Sequence, residues 1–531
     1  MRRCLFLLAP LTLALAAAMA QAQTYTVLRN FNDTDGCCAG SPSMLAQGKD
    51  GNIYGATTSG GAHFYGNIFK MTPTGTFTNL YSFDFTAGAG PQGGLSMGLD
   101  GNFYGTTYQG GAHSAGTIFQ VTHAGVFKSL YSFTNGTDGA YPKAPPVQAP
   151  DGNLYGTTGN GTVAVLYKVT TTGAFAVMAT LVGQTYAPLL VGTDGNLYGT
   201  TFYGGTYNGG TVFQFSPSSK KIKTLFAFHT EWYPAGPLTQ GVDGALYGTL
   251  SSGGTGDTGA VYRITTGGTY KVLYNFSTAG TTDGKYPYGG VVQGSDKFLY
   301  GVASAGGTNG VGTLFKISTT GTGFTVLHHF ATTTGDTPYP ALMLHTNGTI
   351  YGMTAHGGSH TAYGTFFSLA NNLKPFVKPL VLVSRKVGAS VGVLGQGFNT
   401  ATGVLFGTGA GTYTTTGSTY LTATVVAGAT TGQITVKEPA GNLLTPLKFK
   451  IVPSITKFSP TSGTVGSQVV ITGMSLSQAT GVKFGTVAAT AFTVNSNIKI
   501  TVTVPSGAVT GKISVTTPGG TATSATNFTV K

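Results

Sequence analysis

Four histidines, His63, His113, His356 and His360, stand in Gly-rich stretches between short apolar runs. Imidazoles in such loops are the residue type from which a metal site or a proton-transfer pair is built. His63 and His113 hold the same place in successive copies of a repeat, so one reading is a shared ligand patch. The other is solvated loop histidines, because no carboxylate or thiol in those loops completes a ligand set. Carboxylates are scarce, with 13 Asp and two Glu. Six aspartates (Asp50, Asp100, Asp151, Asp194, Asp243, Asp296) open turn motifs, and Asp35, Asp138, Asp283 and Asp336 recur in a second kind of loop. Few are left for the carboxylate pair that acid–base hydrolysis requires. Asp33-Thr34-Asp35-Gly36 matches only the start of a calcium loop. Cys37 and Cys38 are adjacent, which allows a strained vicinal disulfide or two reduced thiols, with no His or third Cys beside them.

Aromatic residues offer a different chemistry. Tyr-Pro recurs at Tyr141, Tyr233, Tyr286 and Tyr339, with Tyr186-Ala187-Pro188 as a variant. Tyr203, Tyr207 and the only tryptophan, Trp232, fall in loops expected on the same face, among Asn, Thr and Gly. Rings in that setting suit stacking on sugar rings or gripping a peptide. Each Tyr-Pro also reads as a structural corner between repeats, and its regular recurrence favours that. Glu231-Trp232 replaces the usual Asp-Gly of its loop, and this irregularity within a repeat makes the pair the first candidate for a binding role.

These residues are carried by a repeat. Tyr-Gly recurs at Tyr54, Tyr104, Tyr155, Tyr198, Tyr247, Tyr300 and Tyr351, at spacings of 50, 51, 43, 49, 53 and 51 residues. Asp-Gly-Asn or a relative precedes it, and Thr-Thr and Gly-Gly commonly follow. Each copy divides into four short strands. The Asp-Gly predicts a tight hairpin with positive φ at both turn residues. Some 50 residues in four antiparallel strands is the size of a propeller blade. Seven first-to-third-strand modules are present, and seven fourth strands, but the first fourth strand (residues 25–31) precedes every Tyr-Gly module. That strand should complete the last blade and close a ring, removing a free sheet edge. The expectation is a seven-bladed β-propeller over residues 24–372. The Asp-Gly-Asn-Leu-Tyr-Gly-Thr-Thr core with its Gly-Gly resembles the GloVer (Gloeobacter/Verrucomicrobia) tandem repeat of exported bacterial proteins, a family named for sequence rather than activity.

Past Asn372 the pattern stops. Residues 453–531 open with Phe458-Ser459-Pro460 and continue through Val469-Val470-Ile471-Thr472-Gly473 and Val482-Lys483-Phe484-Gly485. They resemble an IPT/TIG domain, which implies an immunoglobulin-like β-sandwich. Residues 376–452 resemble a degenerate copy without the Phe-Ser-Pro opening. The fold class expected is therefore all-β, a seven-bladed propeller followed by two immunoglobulin-like sandwiches.

Residues 1–22 read as a signal peptide: Arg2 and Arg3, a short apolar run, then Ala-x-Ala cleavage sites. No later stretch is long and apolar enough to cross a bilayer, so export to the cell surface, medium or periplasm is expected. Only 8% of residues are charged, 41% are hydrophobic and 84 are Gly. This excludes disorder and a helical protein. Residues 375–531 hold eleven Lys or Arg against Glu438 alone, while residues 23–374 are nearly balanced. Contact between the basic sandwiches and an anionic envelope polymer follows as an expectation. Nucleic acid is a poor partner, since only Arg29, Arg263 and Arg385 remain after the signal. No motif calls for a cofactor or metal. The reading is a non-catalytic binding or adhesion protein that recognises a glycan or peptide on the propeller's loop face. A polysaccharide lyase or hydrolase, and a structural surface-layer protein, are the alternatives.

Overall fold

The computed structural model describes residues 23–40, 43–159, 164–229, 232–277, 281–380 and 384–531. The signal-peptide segment and Glu231 lie outside them.

Seven four-stranded antiparallel sheets form the blades of a β-propeller. Six use four strands consecutive in sequence. The seventh joins Met343–Leu344, Ile350–Met353 and Thr365–Ala370 to the N-terminal strand Thr24–Asn30, which pairs antiparallel with Thr365–Ala370. The ring is thereby closed by both ends of the repeat array, and the last blade receives the fourth strand that its own repeat lacks.

The Tyr-Gly motif is explained by packing. Second strands such as Phe103–Thr107 are wholly buried. A Cβ on Gly105 would lie 2.3 Å from Cζ of Phe119, and one on Gly199 would lie 2.6 Å from Cζ of Phe213. The glycine leaves room for an aromatic ring of the neighbouring third strand. The tyrosine beside it reaches back to the turn: Tyr104 donates its hydroxyl to Asp100 Oδ2 at 2.8 Å, and Tyr54, Tyr155, Tyr198, Tyr247 and Tyr300 do the same to their own aspartates.

The turn itself differs from the expectation. Gly51 and Gly101 have positive φ, but Asp50 and Asp100 do not. Gly48 and Asn52 close a three-residue loop, with Gly48 N–H donating to Asn52 O at 2.8 Å and Gly51 N–H to Gly48 O at 3.1 Å. This is a right-handed turn followed by one left-handed residue. The aspartate stays right-handed because its carboxylate accepts both the Asn52 N–H and the tyrosine hydroxyl.

Two sandwiches follow. The first packs Val391, Val393, Phe406, Leu421, Ile434 and Phe449 in its core. The second pairs a sheet containing Gln468–Met474 and Lys499–Thr503 with one containing Gly511–Thr517 and Gly520–Val530, around Ile471, Phe484, Ile513 and Phe528.

The first sandwich sits on the propeller face that carries the Asp-Gly turns. Thr346, in the turn of the seventh blade, accepts from Gln47 at 2.7 Å and from Gln396 at 3.0 Å, and its carbonyl accepts the Phe376 N–H. Thr419 donates to Lys49 O at 2.7 Å, and Lys450 to Thr193 O at 3.0 Å. Those contacts reach turns of blades one, four and seven.

Candidate functional site

In each blade the fourth-to-first-strand loop and the second-to-third-strand loop emerge on the face opposite those turns. Bridges between the two loops, Cys37 with Ser59, Ala89 with Gln109, Lys285 with Ala305 and Asp336 with His356, tie them together blade by blade.

One corner of this framework repeats. Tyr141 has φ 53° and donates its N–H to Ala115 O at 2.9 Å in the preceding blade. Tyr286 has φ 58° and donates to Thr258 O at 2.8 Å. The following prolines, Pro142, Pro234 and Pro287, pack against Gly116, Gly210 and Gly259 of the blade before. The proline is thus the structural corner, and the tyrosine side chain is left half-buried or exposed beside it.

Tyr339 does not share this place. Its blade puts Thr337 at the corner, with φ 55° and an N–H donated to Val311 O at 3.1 Å, and Pro338 against Gly312. Tyr339 is therefore the counterpart of Lys143 and Tyr288, two positions further on. Cys38, with φ 60° and its N–H on Tyr363 O, occupies the corner of the first blade.

The side chains at and after these corners join into an arc. Tyr186 stacks on Phe202 at 4.6 Å, Phe202 on Tyr233 at 5.0 Å, and Tyr203 stands edge-on to both Phe202 and Tyr233. Lys143 Nζ lies 3.7 Å from the centre of the Tyr186 ring and 5.7 Å from that of Tyr108, which packs at 5.3 Å on Tyr141. On the other flank Tyr288 meets Tyr339 edge-on at 5.2 Å. Burial raises the Tyr186 hydroxyl pKa, helped by Tyr203 and Tyr108, and raises that of Tyr288, helped by Tyr339, Tyr286 and Tyr203. Both remain neutral phenols at ordinary pH, able to stack and to donate hydrogen bonds. Burial also pulls the Lys143 ammonium below its usual range. Tyr203 and Tyr286 are exposed.

Trp232 lies beside the arc. It is half-buried, its indole stands over Gly253, and its ring meets His229 edge-on at 6.3 Å. Tyr207, 50% exposed, stacks on the other side of His229 at 4.6 Å. Trp232, His229 and Tyr207 thus form a second aromatic group.

The four loop histidines are exposed. Asp84 is held low chiefly by the Ala87 N–H and the Thr86 hydroxyl, with His63 adding a smaller effect. His356 Nδ1 faces Ala362 O, and His360 faces Tyr363. Among the described residues no three His, Cys, Asp or Glu side chains gather as a metal site would require.

The carboxylates are engaged in their own loops. Asp138 accepts from Tyr131, Thr134 and Gly136 N–H, and Asp283 from Tyr274 and the Ser277 N–H. Asp35 pairs with Arg29 at 2.6 Å, which takes it out of the Asp33-x-Asp35 fragment. The thiols of Cys37 and Cys38 are both free, with Cys37 Sγ 3.1 Å from Ser59 Oγ.

The sequence pattern missed Lys143 and Tyr288. Both follow a Tyr-Pro directly, so the residue after the proline was the available signal. The shifted register at Thr337-Pro338 hid it.

Comparisons with known proteins extend the picture. A model of the Gloeobacter/Verrucomicrobia repeat matches residues 17–188, 135–282 and 233–436, and an IPT/TIG domain model matches residues 453–530. No curated protein matches the chain. Among solved structures, SGBP-B from a xyloglucan utilization locus in Bacteroides uniformis is similar at 20% identity and a TM-score of 0.16, over 29% of this chain and 48% of its own length. The chain therefore spans about half of that protein. Surface glycan-binding protein PbSGBP-B from Prevotella bryantii is similar at 19% identity and a TM-score of 0.22, over 27% of this chain and 37% of its own. An oligogalacturonate lyase from Vibrio parahaemolyticus is similar at 10% identity and a TM-score of 0.43, over 66% of this chain and 96% of its own. None of these likenesses bears on ligand or chemistry.

Proposed function

We propose that this chain, which belongs to the Gloeobacter/Verrucomicrobia repeat family and ends in an IPT/TIG domain, is an exported, non-catalytic glycan-binding protein whose site is the aromatic arc of the propeller's loop face. The observation that carries this reading is the continuous run Tyr108–Lys143–Tyr186–Phe202–Tyr233. Sugar rings present C–H faces that stack on aromatic faces and hydroxyls that hydrogen-bond to phenols and an ammonium. The arc offers both over several blades, the extent of an oligosaccharide rather than of one small molecule. Every aspartate except Asp33 accepts a hydrogen bond from its own loop, turn or a neighbouring strand, so the face favours holding a chain over cleaving it.

The second sandwich is the envelope-facing module in this reading. Lys457, Lys483, Lys499, Lys512 and Lys531 are all exposed and residues 453–531 contain no acid. An anionic surface polymer is the partner that charge fits.

A glycan array probed with the full chain, and with the Lys143→Met and Tyr186→Ala variants, tests the site. Binding of a restricted set of oligosaccharides, lost in the variants and leaving the glycans uncut, is the expected result. Cleavage of a bound glycan, or binding that both variants retain, refutes the proposal.

A further inference from the structure

Between the propeller's Asp-Gly-turn face and the first sandwich lies a cavity of about 340 Å³. Its walls come from innermost strands around the ring (Leu190, Leu238, Leu342, Met343) and from Phe376 and Leu447 of the sandwich side. It lies on the opposite side of the propeller from the aromatic arc and is independent of it.

Two lysines, Lys378 and Lys448, line this otherwise apolar space. Lys378, on the first strand of the sandwich, lines the cavity and keeps accessible surface, while the protein around it lowers the pKa of its ammonium. Among the described residues its ammonium has no hydrogen-bond acceptor and no carboxylate partner, and His345, which feels its charge, is itself basic and bonded to Gly51 O. The uncharged polar lining groups are already used. Gln240 donates to Gly244 O and accepts from Thr193 N–H, Gln293 donates to Lys297 O and accepts from Val242 N–H, and Thr239 donates to Val291 O.

Holding an ammonium against apolar walls without a counter-ion carries a desolvation cost. A ligand that brings one negative charge and an apolar body would offset that cost and fill the space. We infer that this cavity binds a small monocarboxylate with an apolar body, its carboxylate on Lys378 and its hydrocarbon against the leucine and methionine walls. At about 30 Å³ per water the cavity holds roughly ten waters, which is the scale of a medium-chain fatty acid. Val242, Pro446, Leu447 and Lys448 also line an adjoining recess of about 420 Å³ that contains Lys450. This gives the carboxylate an electropositive approach.

Octanoate, octanol and octylamine, each added to the full chain, provide the test by native mass spectrometry and thermal unfolding. One octanoate per chain is expected, with a raised Tm, while the alcohol and amine bind at least tenfold more weakly. Lys378→Met should abolish the octanoate effect and Lys378→Arg should retain it, while Lys143→Met leaves it intact. In the unmodified chain, octanoate but not octanol should shield Lys378 from reductive methylation, a readout that needs no variant to fold. Equal binding of octanol, no adduct with octanoate, or unaltered methylation of Lys378 would overturn the inference.

Discussion

At the residue scale, the repeat motif is a solution to a packing problem, and its parts are separable. Gly105 accommodates the Phe119 ring, so Gly105→Ala should overpack the blade and lower stability by about 1–3 kcal/mol, read by denaturant unfolding. Tyr104→Phe removes the bond donated to Asp100 and the one accepted from Gln120, and should cost about 1–2 kcal/mol. The adjacent cysteines are unequal. A hydrogen bond from Cys38, with help from Ser59, brings the Cys37 thiol down to about 6 against the opposing effect of burial, while Cys38 is pushed up. Alkylation should therefore modify Cys37 first, its rate rising through a midpoint near pH 6, and equal labelling of the two with a midpoint above pH 8 would contradict this. The packing role of Tyr-Gly could be read from seven equal spacings. Lys143 could not, because nothing in a lone Lys after a proline states that two tyrosines, 35 residues before it and 43 after it, will flank its ammonium.

At the element scale, the closing strand is where the ring depends on pH. Tyr25 of that strand stacks on His328 at 3.7 Å and donates to Thr334 O. Burial lowers the His328 pKa from 6.5 to about 4. The unfolded chain binds a proton on this residue between those values and the folded chain does not. Stability is therefore full above pH 6.5 and falls as pH drops towards 4. The loss is at most about 3 kcal/mol, and less in practice because the ring is partly solvated. His328→Phe should flatten the fall in Tm between pH 6.5 and 4, and an unchanged slope would assign the acid sensitivity elsewhere. The closing strand was legible because the strand count at the two ends is complementary. The geometry of the Asp-Gly turn was not, because the sequence shows the dipeptide but not the tyrosine hydroxyl that holds the aspartate right-handed. The place of Tyr339 was hidden in the same way, since only the hydrogen bond of Thr337 reveals the shifted register.

At the scale of the whole molecule, the two faces of the propeller have different fates. The turn face is covered by the first sandwich and the loop face carries the aromatic arc. This placement redistributes the basic charge of the C-terminal third, since Lys378 and Lys450 are turned to the propeller and the exposed lysines of the second sandwich are left for outside partners. Binding of the chain to an anionic polymer should weaken steeply with salt and survive loss of Lys378 or Lys450, whereas loss of Lys457, Lys483, Lys499 and Lys512 together should abolish it. Composition alone located this charge in the tail but could not divide it between interior and surface, because that division depends on how the sandwich docks.

The central claim rests on the arc. Isothermal titration of a glycan selected on the array, against the unmodified chain and Tyr186→Ala, measures it most directly. The Tyr186 ring lies between the Lys143 ammonium and Phe202. Its loss should weaken binding at least tenfold, about 1.4 kcal/mol, with the unfolding midpoint held within a few degrees. An unchanged Kd in a folded Tyr186→Ala protein would contradict the account.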